Sequence, residues 1–363
     1  MNAAPVLGLC AALSLGASMA RAADGWSKAL ARRGADPSVA ENPIAITPDI
    51  EAAAFVLSGG AGDGLQQLRS LQGALFDGSR FTFDYDAKLT ETASEALRSG
   101  RGNCVAFTNL FIAMARARGI PVKAGVIAPR VNGVKRGDLV YVTNHVVAVY
   151  VQAGRYVVFD FSRAREDSGL HVRLLDDLEL AALYLNNRAV DALGEGDFAL
   201  AETRLDQVLK LAPEFAAAHG NLGVLRRRRG DTSGALDAYR RALALDPRDP
   251  SILGNLAALY SGLGRDREAR AALGLADLTR ATPYTVLARG DLEAADGRID
   301  EALRFYRKAA RLDPKIVEPQ VSIARVARSA GRIDEARRAA ARAVKLDPGN
   351  VEANGILDGL PDN

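Results

Sequence analysis

The sequence is poor in the side chains that build metal sites and disulfide frameworks. It holds 2 cysteines and 3 histidines in 363 residues. A zinc site needs several cysteine or histidine ligands close together, and this scattered set does not supply them. A glycine-rich loop for binding nucleotide phosphates is also missing. We therefore expect neither a metal nor an organic cofactor.

The chain has no marked excess of charge. Its formal net charge is +3, and acidic and basic residues are interleaved. An arm that binds nucleic acid would concentrate one sign of charge in a block. The densest basic run, Arg226–Arg229, lies inside a predicted helix, where a solvated face is favoured over a phosphate site. We therefore expect no nucleic-acid partner.

Long apolar runs are confined to the N-terminus. Residues 1–22 resemble a secretory signal peptide, although no Lys or Arg precedes the apolar run Val6–Leu15. The small residues Ala20 and Ala22 form a cleavage site before Ala23. The run is too short to span a bilayer. We therefore expect a periplasmic or secreted protein with no integral membrane segment after signal removal.

Signal removal would leave one cysteine in the mature chain. Cys10 lies in the apolar run, so only Cys104 would remain. A lone thiol in an oxidising compartment is a liability unless it is buried or used. The question is therefore whether Cys104 has the neighbours of a nucleophile.

A regular period runs through the C-terminal half. Glycines recur at steps of 34, 34, 33 and 34 residues, each followed five residues later by an alanine. A proline closes each unit. The glycines are Gly196, Gly230, Gly264, Gly297 and Gly331; the alanines are Ala201, Ala235, Ala269, Ala302 and Ala336; the prolines are Pro213, Pro247, Pro283, Pro314 and Pro348.

Each of these residue types has a physical role in a helical hairpin. Glycine ends the first helix in a left-handed cap, alanine permits close packing of the second helix, and proline stops that helix. The pattern resembles the tetratricopeptide repeat family, with five repeats and a short terminal cap over residues 181–360. Pro283 comes two residues late, so we expect a longer second helix or loop in the third repeat.

Asparagine occupies one register position in three repeats. Asn187, Asn221 and Asn255 each precede the repeat alanine by 14 residues. In the family this position lies on the concave face, where a row of amides can bind the backbone of an extended peptide. Local hydrogen bonding to a neighbouring loop is an alternative role of equal weight. The resemblance implies a protein or peptide partner.

The N-terminal half mixes helices and strands. Residues 23–80 are predicted to be a helical lead region of unknown role, and residues 81–178 a separate domain. Within that domain we expect helices at Leu89–Ser99, capped by Thr90 or Thr92, and at Val105–Arg118. The predicted strands are Phe81–Tyr85, Val122–Ile127, Asn144–Val151 and Arg155–Phe161.

Cys104 is predicted to lie at the N-terminus of the second helix. The positive end of the helix dipole favours a thiolate there, and Gly102 leaves room for a substrate backbone. The backbone N–H groups of Cys104 and Asn103 are the predicted oxyanion donors.

A thiol nucleophile needs a base and a group that orients the base. His145 and Asp160 lie on the two strands of a predicted hairpin. If Gln152 pairs with Arg155, His145 faces Ser162 and Asp160 becomes its diagonal neighbour on the same face. The carboxylate can then fix the tautomer of the imidazole.

These motifs together resemble the transglutaminase-like superfamily. The resemblance rests on Gly102-Asn103-Cys104, the helix that follows with Gly119-Ile120-Pro121 after it, Asn144-His145, and Phe159-Asp160. Bacterial secreted proteins join such a domain to tetratricopeptide repeats. The resemblance implies an α+β, papain-like domain with a Cys104–His145–Asp160 triad, followed by an all-α solenoid.

Two functions follow from this resemblance. The first is an exported cysteine-dependent peptidase, amidase or acyltransferase, acting on a protein or peptide that the repeats recruit. The second is a catalytically inactive scaffold that mediates protein–protein interaction. Many family members carry an aromatic residue soon after the histidine, whereas this chain has Val146-Val147-Ala148. Hydrolysis and transamidation therefore both stay open.

Overall fold

A computed structural model describes residues 25–59, 62–77, 81–136, 139–160 and 172–361. The signal-like segment 1–22 lies outside these residues. The chain divides into two compact units. One joins Met1–Arg130 to Asn144–Ala218, and the other joins Val131–Thr143 to His219–Asn363.

Among the described residues, five helices form the N-terminal part of the first unit. Thr92, and not Thr90, caps the fourth helix, where it forms a reciprocal capping box with Glu95. The described part of α1 covers residues 25–32, and α2 to α5 span Pro48–Leu57, Gly64–Phe76, Ala93–Ser99 and Cys104–Ala117.

The central element of this unit is α5. Every residue from Cys104 to Ala115 is buried, as expected for a helix that is apolar on all sides. Helices α2, α3 and α4 pack against it. Gly119 ends it with a left-handed φ of 73°. The helix that carries the cysteine is therefore held from several directions.

The six described strands form two sheets. A two-stranded parallel sheet joins β1 to β2, and a four-stranded sheet has the order β5-β4-β3-β6. Strands β3 and β6 pair antiparallel, with Ala124 opposite Leu175. The strands β1 to β6 span Asp84–Tyr85, Arg101–Gly102, Val122–Arg136, Leu139–Gln152, Arg155–Phe159 and Val172–Leu175.

The hairpin β4–β5 has the predicted register. Gln152 pairs with Arg155, and Ala148 with Phe159. The connecting residues Ala153 and Gly154 have φ angles of 49° and 76°. Positive φ at both central residues is the requirement of a type I′ turn, whose twist suits a two-residue hairpin. Strand β5 ends at Phe159, two residues before the predicted end.

Five helix pairs and a terminal helix form the repeats. The five period glycines all have positive φ, between 69° and 81°, and the five period alanines are fully buried. The first helices are Asp177–Glu195, Ala216–Arg228, Pro250–Gly262, Pro283–Ala295 and Glu318–Ser329 (α6, α8, α10, α12, α14). The second helices are Phe198–Leu211, Thr232–Leu245, Asp266–Arg280, Ile299–Leu312 and Ile333–Leu346 (α7, α9, α11, α13, α15), and α16 spans Val351–Asp358.

The third repeat agrees only in part with the prediction made from Pro283. Its second helix, α11, has 15 residues instead of the 14 found in the other second helices, as the late proline predicted. Pro283, however, does not follow that helix as a stop. It is the first residue of α12, where Thr282 provides the cap. Proline suits this position because its missing N–H has no partner in the helix.

The first helix pair belongs to the same compact unit as the N-terminal helices. Tyr184 of α6 donates a hydrogen bond to Glu41 at 2.6 Å. Arg116 of α5 forms two hydrogen bonds with the carboxylate of Asp177, at 2.7 and 2.9 Å. The Tyr184–Glu41 contact joins regions that the sequence divided at residues 178–181, and α6 itself crosses that boundary.

Candidate active site

Cys104 is the first residue of α5, as predicted. The Asn103 side chain caps this helix, accepting hydrogen bonds from the N–H groups of Val105 and Ala106 at 3.0 and 3.1 Å. Cys104 is 9% exposed. The thiol therefore lies at the N-terminus of a buried helix, at the positive end of the helix dipole.

Gly102 is required by the backbone immediately before the nucleophile. Its φ of 154° lies in a region that favours glycine. A Cβ atom here would lie 2.4 Å from Cβ of Ala106 and 3.3 Å from the ring of Phe83. Gly102 also pairs with Tyr85 in the small parallel sheet. Substitution would therefore displace the start of α5.

Asn103 is held by two further hydrogen bonds, and these correct its predicted role. Its amide Nδ2 donates to the hydroxyl of Thr90 at 2.6 Å, and its backbone N–H donates to the carbonyl of Leu89 at 2.7 Å. Asn103 and Thr90 are both buried. Because that N–H is committed to Leu89, Asn103 is not an available oxyanion donor. The N–H of Cys104 stays the predicted donor.

His145 and Asp160 meet across the hairpin. The imidazole Nε2 lies 2.8 Å from the carboxylate Oδ2. The hydrogen bond to Asp160, followed by a side-chain hydrogen bond with Cys104, raises the pKa of His145 from 6.5 to about 9. Burial opposes this rise but does not cancel it. The three predicted triad residues are therefore brought together, with His145 in the middle.

The ring nitrogens of His145 have separate tasks in this arrangement. Nε2 is engaged by Asp160, so Nδ1 is the nitrogen available to the thiol of Cys104. A neutral imidazole would donate Nε2–H to the carboxylate and accept the thiol proton at Nδ1. The geometry can thus support a thiolate–imidazolium pair.

Contacts between α5 and the sheet fix the distance between nucleophile and base. Thr108, one turn after Cys104, donates a hydrogen bond to the carbonyl of Val146 at 3.3 Å. Phe111 stacks on Phe159 with ring centroids 4.9 Å apart. Val146 and Phe159 are the chain neighbours of the two other triad residues. The same helix therefore supports both strands of the hairpin.

Two families match separate parts of the chain. The Transglutaminase-like superfamily matches residues 51–161, and the Tetratricopeptide repeat family matches residues 186–250, 226–284 and 293–357. The chain is a transglutaminase-like domain followed by tetratricopeptide repeats. The transglutaminase-like match begins 30 residues before the predicted boundary at residue 81, so it includes most of α2 and all of α3.

Two curated relatives each match less than half of this chain. Bovine "Tetratricopeptide repeat protein 36" is 34% identical over 137 residues, which is 38% of this chain and 57% of the bovine protein. The "Photosystem I assembly protein Ycf3" of Synechococcus sp. (strain CC9311) is 28% identical over 155 residues, covering 39% of this chain and 78% of that protein. This chain thus spans little more than half of the bovine relative.

Two solved structures match about half of the chain, with TM-scores below 0.5. PilF of Pseudomonas aeruginosa has a TM-score of 0.45 at 20% identity, covering 50% of this chain and 83% of that chain. The thermophilic protein TTC0263 of Thermus thermophilus has a TM-score of 0.44 at 22% identity, covering 49% of this chain and 97% of that chain.

One site residue of the transglutaminase-like domain was missed by the sequence analysis. Gln72 of α3 donates a hydrogen bond from Nε2 to the backbone carbonyl of Asp160 at 2.8 Å. A signal existed, because Gln72 shares the helical spacing of Leu68, Leu71 and Leu75, all of which are buried. A polar residue in an apolar stripe needs a partner, and here the partner is the triad aspartate.

The asparagine register lies on the first helices of the repeats. Asn187, Asn221 and Asn255 are in α6, α8 and α10. Asn221 and Asn255 are buried, at 9% and 6% exposure, whereas Asn187 is half-buried. Burial of the first two favours local hydrogen bonding, the alternative role. Peptide binding by the three asparagines stays a prediction.

Two features are absent from the part of the chain that the structure describes. No group of three or more His, Cys, Asp and Glu side chains there could hold a metal ion. None of the helices within this part of the chain is long and apolar enough to cross a membrane.

Proposed function

We propose that the chain is an exported, cysteine-dependent amide hydrolase or acyltransferase. Cys104 is the nucleophile, His145 the general base and acid, and Asp160 the group that orients His145. The observation that supports this most strongly is the continuous series of side-chain hydrogen bonds from Asp160 through His145 to Cys104. Three residue types in these roles form the usual machinery of a thiol hydrolase.

The reaction follows from the two ring nitrogens. The Cys104 thiol gives its proton to Nδ1 of His145, and its sulfur attacks an amide carbonyl carbon. The imidazolium then protonates the departing amine as the C–N bond breaks, leaving a thioester on Cys104. Water attacks the thioester in hydrolysis, and a second amine attacks it in transamidation. Asp160 holds Nε2–H throughout and stabilises the imidazolium.

The repeats indicate protein–protein interaction, and we propose that they recruit the substrate. A helical repeat solenoid presents an extended surface on which a peptide can lie. A protein or peptide substrate held there would reach the cysteine at a high effective concentration. The substrate would thus be selected by the repeats as well as by the residues around Cys104.

Export is a separate part of this proposal. Residues 1–22 have the apolar run and small-residue cleavage site of a signal peptide. N-terminal sequencing of protein from the periplasmic and extracellular fractions tests it. A mature chain that starts near Ala23 is expected, and an intact N-terminus on cytoplasmic protein would contradict export.

Trapping the thioester tests the proposed chemistry. Purified protein is incubated with p-nitrophenyl acetate, and an acetyl group on Cys104 is sought by mass spectrometry. Adding cadaverine then distinguishes the two reactions, because transamidation yields acetylcadaverine and hydrolysis yields acetate. Cys104→Ser and Asp160→Asn serve as controls for the nucleophile and its orienting group.

The outcomes separate an enzyme from an inactive scaffold. An acetyl group that forms on Cys104, turns over and forms more slowly in Asp160→Asn supports the enzyme. An acetyl group that forms no faster than on a denatured control supports the scaffold. In that case the repeats alone would carry the function.

A further inference from the structure

Helix α3 contacts the triad although it lies in the segment predicted as a lead region of unknown role. Gln72 is 6% exposed, and its Nε2 lies 2.8 Å from the carbonyl oxygen of Asp160. The two residues are 88 positions apart in the chain. A buried amide that reaches so far along the sequence is held by tertiary packing.

The carbonyl of Asp160 lies at the end of the hairpin. The pairing of β4 with β5 ends at Ala148 and Phe159, so Asp160 is the first residue beyond the ladder. Residues beyond a strand end have fewer backbone partners than residues within it. The hydrogen bond from Gln72 therefore fixes the backbone at the point where the sheet no longer does.

Packing of α3 makes Gln72 a rigid donor. Leu68, Leu71 and Leu75 of the same helix are at most 1% exposed. Phe76, at the end of the helix, stacks on Phe107 of α5 with ring centroids 5.6 Å apart. The Gln72 amide therefore belongs to a helix that packs against α5, the helix of Cys104.

We propose that Gln72 is a positioning residue, which holds the backbone of Asp160 so that its carboxylate stays on Nε2 of His145. This inference rests on the proposed function, because it gives Gln72 a role only if the triad works. Gln72 itself touches no reacting atom. Its effect passes through Asp160 to His145, and from His145 to the thiol.

Two substitutions at this position separate the hydrogen bond from packing. Gln72→Met keeps the length of the side chain and removes the donor. Gln72→Glu keeps the shape, but an ionised carboxylate cannot donate to a carbonyl and repels it. Only the protonated form of Gln72→Glu can donate, and burial raises the pKa of a carboxyl group. Gln66→Met, on the exposed face of the same helix, is the matched control.

The first measurement is the titration of His145 by NMR. The chain has 3 histidines, so ¹³C-labelled imidazoles give three signals, and His145→Gln assigns the one of interest. In wild type and Gln66→Met the midpoint should lie near 9. In Gln72→Met it should fall by about one unit, because a displaced carboxylate stabilises the imidazolium less.

The second measurement is the alkylation rate of Cys104 by iodoacetamide. At pH 7 the rate in Gln72→Met should be lower than in wild type by up to about tenfold, because a one-unit fall in the pKa of His145 shifts the thiolate–imidazolium pair toward the neutral pair by that factor. At pH 5 the rate in Gln72→Glu should approach that of wild type, whereas Gln72→Met should not recover. If poorer packing alone lowered the rate, protonation of the new carboxylate in Gln72→Glu would not restore it. This comparison within one variant also holds if Gln72→Met folds poorly.

The failures of the two proposals are distinguishable. A wild-type midpoint near 6.5 that does not respond to Asp160→Asn would remove the triad, and Gln72 with it. A wild-type midpoint near 9 that Gln72→Met leaves unchanged would keep the triad and overturn the role of Gln72 alone. Equal alkylation rates of Gln72→Glu and Gln72→Met at pH 5 would do the same.

Discussion

The first and the last helix pairs follow one sequence pattern but have different surroundings. In the first pair, polar side chains bond to residues far back in the chain. Arg188 of α6 donates to the carbonyl of Thr90 at 3.1 Å, and Gln207 of α7 accepts from the N–H of Asp36 at 2.6 Å. Burial, followed by the hydrogen bond to Glu41, raises the pKa of Tyr184, which therefore stays a donor.

The last pairs bond mainly to their repeat neighbours. Arg332, at the start of α15, pairs with Asp300 of α13 at 2.6 Å. Tyr306 of α13 donates to Asp291 of α12 at 2.9 Å. The core of this region consists of residues from α12 to α16. Contacts of this kind are what a quasi-one-dimensional repeat array requires.

The difference shows what the repeat pattern determines. Glycine, alanine and proline at the period positions fix the helical hairpin in every repeat. Polar residues outside the period decide what each hairpin bonds to. Arg188 reaches Thr90, whose hydroxyl in turn accepts from Asn103, the cap of the nucleophile helix. The first repeat is therefore a structural part of the transglutaminase-like unit.

The largest expected effect is the loss of acyl transfer when the nucleophile of the transglutaminase-like domain is replaced. Cys104→Ala should lower acyl transfer by about 10⁴-fold or more, because the nucleophile is lost. Partner capture by the repeats should be unchanged. Pull-downs from extract, read by mass spectrometry, compare this variant with wild type. Loss of capture in Cys104→Ala would show that the two roles are not separable.

The second effect is a pH-dependent stability that is confined to the first unit. Because the folded pKa of His145 is raised from 6.5 to about 9, the protonated imidazole stabilises the fold by about 3 kcal/mol. This contribution is complete below about pH 6.5 and is lost as pH rises through about 9. Trp26, the one tryptophan of the chain, lies in this unit and reports its unfolding by fluorescence.

The comparison is between wild type and His145→Gln in guanidinium at pH 6 and pH 9.5. The difference in unfolding free energy should be larger at pH 6 by about 3 kcal/mol. A difference that is the same at both pH values would mean that His145 has no raised pKa.

A smaller effect is expected when buried threonines are replaced. Two of them hold the start of a helix, one in each unit. Thr90→Val should destabilise the protein by about 2 kcal/mol, because the amide of Asn103 loses its acceptor. It should also slow alkylation of Cys104. Thr285→Val, in the capping box of α12, is the matched control and should lower stability without changing that rate. Equal alkylation rates in both variants would contradict the link from Thr90 to the nucleophile.

The smallest effect concerns the asparagine register. Half-buried Asn187 should contribute about 1 kcal/mol to peptide capture, so Asn187→Ala should weaken capture about fivefold. Asn221→Ala and Asn255→Ala should instead lower stability, because both side chains are buried. Ser322→Ala, at the same register position in the fifth repeat, is the control. Equal loss of capture in all three asparagine variants would support peptide binding by all three side chains.

The sequence predicted the repeats well because each structural signal occurs five times. A left-handed glycine such as Gly196 and a buried alanine such as Ala201 depend only on the local helical hairpin. The triad was predictable for a different reason. A two-residue turn after Gln152 sets the register, and the register places Asp160 diagonally opposite His145.

Other features depend on contacts that no local pattern encodes. Gln72 meets Asp160 only after α3 has packed on α5, and Tyr184 meets Glu41 across 143 positions. The backbone N–H of Asn103 was assigned to an oxyanion hole because its carbonyl partner, Leu89, could not be recognised from sequence. Long-range hydrogen bonds therefore account for what sequence reasoning missed.

The rate of Cys104 alkylation at pH 7 tests the central claim most directly. The claim is that His145, held by Asp160, keeps the thiol of Cys104 in its reactive form. Iodoacetamide should react with wild type at least about tenfold faster than with His145→Ala, because the variant lacks the cationic partner that favours the thiolate. Asp160→Asn should lie between them. Equal rates in wild type and His145→Ala would contradict the triad.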